Sequence, residues 1–257
     1  FVHAVLEDTV REVMHVGGFH GIDAQKCADI ALNYAQRYAG EHFSQVDSAR
    51  MQYQFRRNFQ ELDMIVKELW SELSVSGFVP VDVETDFGDG CKLPAIAIDA
   101  RSMEAVLRGF VDRVDAWKED GRNYFRVVDY KTGKKDFDYC DVFNGVGLQM
   151  LLYLFALESG GEKILGQHPY GAGVQYFPAR SPLMNTDSRL TEEEAARERE
   201  KLWKRKGLLL RDEDVIHAMY PDEKLKRLDC DIKNDGTITG YVADRDQLHQ
   251  LRQYVFR

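Results

Sequence analysis

Three features of this 257-residue sequence predict an α/β fold, a mixed sheet flanked by helices with a helical insertion near the N-terminus. Apolar residues recur at helical spacing up to about residue 77. From Val79 to Phe87 they alternate with polar ones, the period of half-buried strands, and two apolar runs beyond flank an Asp-Gly pair. The stretch from Asn144 to Glu158 is apolar around nearly the whole helical circumference, and Gly173 to Phe177 follows as a return strand.

Taken in order, residues 1–16 read as a helix, 23–40 as a second amphipathic helix, and 47–77 as one or two more. Phe55, Phe59, Leu62, Ile65, Val66, Leu69 and Leu73 form the core stripe of that last segment. Val79, Val81, Val83, Thr85 and Phe87 then alternate with Asp82, Glu84 and Asp86, and Gly88-Asp89-Gly90 turns the chain into a strand over 93–98. Glu84 reads as an exposed strand acid, the alternative being that it reaches a metal from this first strand. Two further apolar runs, Gly109 to Asp115 and Val127 to Gly133, flank Asp120-Gly121. Asp-Gly favours a two-residue type I′ loop, because both central residues need positive φ.

That loop sets a register in which Asp112 lies opposite Asp129. The two-residue period then puts Asp112, Asp129 and Lys131 on one face, and Arg113, Asp115, Val128 and Tyr130 on the other. Like charges directly opposed destabilise a sheet, so a compensating charge is expected. A hard divalent cation supplies it, since Mg²⁺ takes one or two carboxylates together with water and substrate phosphate. Such an ion polarises a phosphoryl oxygen, and a neighbouring lysine orients the attacking water and stabilises developing negative charge. The implied reaction is phosphodiester hydrolysis.

Within the core run from Leu148 to Leu157 only Gln149 and Tyr153 are polar. They stand four apart, on one stripe, and a buried pair of this kind needs hydrogen-bond partners. Beyond Ser181 the signals are sparser. Thr191 with Glu194 makes a capping box ahead of a helix through Lys206, Asn234-Asp235-Gly236 marks a hairpin tip, and residues 248–255 close the chain as a helix.

Composition narrows the function classes. A 44% hydrophobic chain of this length builds a large core, no run of 18 apolar residues predicts a membrane span, and secretion is not expected. The four cysteines, Cys27, Cys91, Cys140 and Cys230, lack C-x-x-C spacing and suit a reducing cytoplasm. The sequence has no P-loop, so it is not a helicase motor. A net charge of −9 is not the footprint of a free-standing nucleic-acid binder. The clusters Arg50, Arg56, Arg57 and Arg199, Lys201, Lys204, Arg205, Lys206 read as solvated helix faces. Lys134 and Lys135, which directly follow the acidic motif, are the exception. A start without methionine and an end inside a helical pattern lead us to expect an excised domain.

The ordered motifs G-x-x-D (109–112), D-Y-K-T-G (129–133) and Q-x-x-x-Y (149–153) resemble the RecB-type branch of the PD-(D/E)XK nuclease superfamily. The resemblance implies a restriction-endonuclease-like core. It implies Asp112, Asp129 and the Tyr130 backbone carbonyl as metal ligands, His3 as the helical histidine ligand, and Lys131 as the catalytic lysine. Gln149 and Tyr153 would line the cleft and position the lysine and the nucleic-acid backbone. The cofactor is expected to be Mg²⁺ or Mn²⁺, with the imidazole favouring Mn²⁺.

Residues 206–219 and the closing helix further resemble the C-terminal nuclease domain of the B subunit of AddAB-type helicase-nucleases. That likeness implies a bacterial cytoplasmic protein acting in double-strand break repair, with single-stranded DNA and a helicase subunit as partners. It also implies an iron-sulfur cluster in the full-length parent, whose ligands this sequence is not expected to contain. The expected organisation is one nuclease domain over 1–257, comprising a helical lobe (17–77), a sheet core with the motifs (78–178) and a helical and hairpin extension (179–257). A non-catalytic module of the same fold, or a free-standing exonuclease of the superfamily, are the alternatives.

Overall fold

The central hairpin forms as its Asp-Gly pair dictates. In the computed structural model, which describes residues 1–43, 49–100, 103–180, 191–221 and 227–256, Asp120 and Gly121 take φ of 49° and 75°. Their flanking strands pair in the expected register, from Glu119 opposite Arg122 to Arg113 opposite Val128.

The strands are β1 (Val79–Phe87), β2 (Ile96–Ala100), β3 (Met103–Leu107), β4 (Gly109–Glu119), β5 (Arg122–Lys131), β6 (Pro169–Pro178), β7 (Lys206–Leu210), β8 (Cys230–Ile232), β9 (Ile238–Gly240) and β10 (Val242–Ala243). Six of them make a mixed sheet in the order β1-β4-β5-β6-β7-β10, parallel at β5–β6 and β7–β10. The β2–β3 and β8–β9 pairs are separate ribbons.

The helices are α1 (Val2–His15), α2 (Ala24–Phe43), α3 (Ala49–Leu73), α4 (Tyr139–Phe143), α5 (Gln149–Gly160), α6 (Glu162–Leu165), α7 (Glu192–Leu202), α8 (Glu213–Met219) and α9 (Arg245–Val255). Parallel β5 and β6 need a crossover, and α5 supplies it. It is apolar all round because it packs on the sheet and against α9 as well. Helices α1 to α3 cover the opposite face, where Leu6, Val10, Leu62 and Ile65 meet Val83, Val128, Tyr130 and Phe177. The expected mixed sheet flanked by helices, with helices added near the N-terminus, is therefore the observed architecture.

Three expected boundaries shift for local reasons. The apolar helix begins at Gln149, not Asn144, because Gly145 and Gly147 take left-handed φ of 76° and 71° and break the preceding turn. The capping box at Thr191 and Glu194 is present, yet α7 stops at Leu202 and Lys206 opens β7. The strand expected over 93–98 starts at Ile96, while Leu93 only bridges to Phe87. The side chains of Arg50, Phe55, Arg56 and Arg199 lie outside the described residues.

The contact between α3 and the sheet is ionic as well as apolar. Glu72 of α3 accepts hydrogen bonds from Arg126 Nη2 (2.7 Å) and Arg205 Nε (2.7 Å). Asp115 accepts from Arg113 Nε (2.8 Å) and Arg126 Nε (2.8 Å), and Gln175 from Arg126 Nη1 (2.8 Å). Burial alone would raise the Glu72 pKa, but the guanidiniums of Arg205, Arg126 and Arg113 outweigh it and hold the carboxyl at about 2. No described helix is long and apolar enough to cross a membrane.

Candidate active site

Asp129 and Lys131 stand two residues apart near the C-terminal end of β5 and so share a face. Their side chains form an ion pair, and Lys131 Nζ lies 6.0 Å from the ring centroid of Tyr176, which neighbours Asp129 across the β5–β6 ladder. The buried Asp129 Oδ2 accepts no hydrogen bond of proper geometry, its neighbour being the lysine ammonium.

Asp112 arrives differently from the expectation. Regular alternation would put Val111 on the same side as the buried Arg113, yet Val111 packs with Val114 in the layer under α5. The pleat is thus broken at Asp112. The adjacent strand is irregular at the same level, where Glu84 takes a φ of 50°. The ladder of β4 with β5 ends at Arg113, and Asp112 Oδ2 then accepts the Tyr130 backbone N–H at 2.6 Å. The expectation that pleating alone sets Asp112 beside Asp129 is corrected accordingly. The strand deviates, and the Asp112 carboxylate takes the place of a backbone acceptor for the Tyr130 amide, next along β5 to Asp129.

His3 of α1 meets this carboxylate from the helical side, its Nδ1 3.7 Å from Asp112 Oδ2 and its ring edge-on to Tyr130 at 6.0 Å. The Asp112 pKa is raised, chiefly by burial, with Asp129 adding to the effect and the Tyr130 amide, His3 and Lys131 opposing it. Glu84 is not the exposed acid expected. It is half-buried, and burial together with Glu7 and Asp112 pushes its pKa up to about 7.

Tyr130 divides its roles. Its amide serves Asp112, while its hydroxyl accepts from Arg113 Nη1 at 3.0 Å on the buried face. The ionic network behind the sheet therefore grips β5 directly. Sequence reasoning missed Glu72 and Arg126 as its members, although charged residues inside apolar runs were the available signal, and the reading of Arg205 as part of a solvated helix face is corrected, because it is buried against Glu72 and Glu68 just before β7.

Gln149 and Tyr153 are brought together as expected, Nε2 donating to the Tyr153 hydroxyl at 2.9 Å. One correction applies: Tyr153 is buried, but Gln149 is exposed at the helix start. The Tyr153 hydroxyl occupies the space where a Cβ on Gly109 would sit, which ties the glycine of G-x-x-D to the tyrosine of Q-x-x-x-Y.

The donor set suits a hard cation. It offers two partly buried carboxylates under mutual repulsion, one of them with a lone pair unused for hydrogen bonding. Among the described residues no three His, Cys, Asp or Glu side chains already converge on a single point. Any ion would have to draw Asp112 and Asp129 together and complete its shell with water and phosphate oxygens.

Comparison with known proteins identifies the family. The chain is 34% identical, over 99% of its length, to the B subunit of an ATP-dependent helicase/deoxyribonuclease from Clostridium novyi, of which it covers 23%. It is 36% identical over 75% of its length to the protein of that name from Acetivibrio thermocellus, covering 18% of it. With the Moorella thermoacetica counterpart it shares 35% identity over 85% of its length and 19% of the relative. It thus spans about a fifth of the length of these relatives. The sequence profile of the PD-(D/E)XK nuclease superfamily matches residues 1–257, and a match running the length of the chain leaves no segment unaccounted for: the chain belongs to that superfamily.

Proposed function

We propose that the chain hydrolyses phosphodiester bonds in DNA, exonucleolytically on single strands, as the nuclease domain of a longer helicase-nuclease subunit engaged in break repair by recombination. The relatives' name, which joins helicase with deoxyribonuclease, supports a helicase partner that delivers the strand. The observation that carries the reading is the gathering of Asp112, Asp129 and Lys131 at one end of the hairpin.

Asp112 and Asp129 would hold Mg²⁺ or Mn²⁺, with the Tyr130 carbonyl and His3 as further donors. When bound, such an ion polarises a phosphoryl oxygen and lowers the pKa of water. Lys131, kept beside the scissile phosphate by Asp129, donates hydrogen bonds from Nζ to the attacking water and to the negative charge that grows on the phosphoryl oxygens. Tyr153, steadied by Gln149, closes the wall under α5 and limits how the backbone approaches.

End-labelled single-stranded DNA incubated with Mn²⁺ tests this. Asp129→Ala and Lys131→Ala should each lower the cleavage rate at least about 10²-fold. Melting should change little, since neither substitution removes core volume. Wild-type rates in both variants would remove the mechanism.

A further inference from the structure

The runs 131–135 and 201–206, distant in sequence, form the two walls of one open cleft of about 530 Å³ that starts at Lys131. Lys131, Lys134 and Lys135 stand on one side, Lys201, Lys204 and Lys206 on the other, with Tyr176 and Pro178 of β6 between and Arg180 at the rim. In a chain of net charge −9 this is a concentrated positive surface.

The second wall is anchored from within. Arg205 is 2% exposed, bonds Glu72 at 2.7 Å and Glu68 at 3.1 Å, and lies 4.3 Å from the Phe177 ring centroid. Because neighbours along extended chain point oppositely, sinking Arg205 turns Lys204 and Lys206 outward into the cleft. The acids nearby are too few to neutralise it. Asp136, the lone carboxylate among the lining residues, approaches Lys134 at 3.5 Å and Lys206 at 3.9 Å. Glu198 holds Lys201 at 2.6 Å and Asp229 holds Lys206 at 3.0 Å. Lys135, Lys204 and Arg180 pair with no carboxylate among the described residues.

We propose that this cleft is the track for the backbone phosphates of single-stranded DNA next to the scissile bond. The assignment rests on the nuclease reading and adds to it the side of Lys131 along which the strand lies. Cations spaced along a groove bind a polyanion without regard to base sequence, as a strand fed by a motor requires.

The test uses fluorescence anisotropy of labelled oligothymidylate of about 20 nucleotides, bound in EDTA so that nothing is cleaved, over about 50 to 200 mM salt. Lys135→Ala/Lys204→Ala should weaken binding roughly tenfold at the low end of that range and reduce the slope of log K against log salt by about 1.4, two cations at about 0.7 each. With Mn²⁺ it should raise KM and leave kcat in place. Lys134→Glu, at a side chain 89% exposed and so harmless to folding, should act in the same direction. Lys118→Ala, at the hairpin tip, should leave the slope unchanged.

If the double variant keeps wild-type affinity and slope while the wild type cleaves, the track lies elsewhere and this proposal alone is overturned. A fall in kcat with KM unmoved overturns it too. If the wild type neither binds nor cleaves, the nuclease reading fails and the track with it.

Discussion

At Gly109 the chain must leave room for another element, because the Tyr153 hydroxyl of α5 fills the place of a side chain. Gly109→Ala should displace that hydroxyl, break its hydrogen bond from Gln149 and cost about 1–3 kcal/mol, the usual range for overpacking. Adding Tyr153→Phe should recover part of the loss, which a double-mutant cycle of urea unfolding would read. Glu84 gives a pH signature. With its pKa raised to about 7, it binds more protons folded than unfolded between pH 7 and the ordinary carboxylate range near 4.3. Its contribution to metal-free stability therefore grows as pH falls through that window, and Asp112, also raised, acts in the same sense. Melting curves in EDTA from about pH 8 to about pH 5 should show that rise, and Glu84→Gln should flatten it. Wild-type slope in the variant would mean that Glu84 is an ordinary surface acid.

Glu72 of α3 is enclosed by guanidiniums from β4, β5 and the residue just before β7. Glu72→Gln would leave buried positive charge uncompensated and should cost about 3–5 kcal/mol, measured by chemical denaturation. The sign with pH is opposite to that of Glu84. A carboxyl held at about 2 stabilises the fold above its ordinary pKa and loses that contribution as pH falls toward 2, so acid unfolding should begin earlier in the wild type than burial of apolar surface alone would allow. Through Arg113 and the Tyr130 hydroxyl the same network reaches β5 between Asp129 and Lys131. The back of the sheet thus fixes the strand whose front carries the candidate site.

Across the whole molecule, the proposed ligands come from α1, β4 and β5, so an ion bound there would tie the N-terminal helices to the sheet. Mn²⁺ at about 100 times its Kd should stabilise the fold by about 2.7 kcal/mol, seen as a rise in Tm that Asp112→Asn abolishes. Much of the fold was legible because its signals are local. Asp120-Gly121 set the hairpin register, alternation marked the first strand, and an all-apolar run announced a buried helix. The pairing of Gln149 with Tyr153 followed from helical spacing, and Asp129 with Lys131 from strand period. What local pattern could not carry was the break in the pleat at Asp112 and Glu84, the burial of Arg205 among charges from α3, and the meeting of residues 131–135 with 201–206. Each of these depends on where distant segments bury charge, and the energy of a buried charge is decided by its neighbours in space. Sequence by itself therefore determined the succession of N-terminal helices, strands and buried helix, the hairpin, and which acids and lysine are candidates for the site, since turn geometry and side-chain period act within a few residues. Only the tertiary structure decided how those groups converge and which basic surface adjoins them.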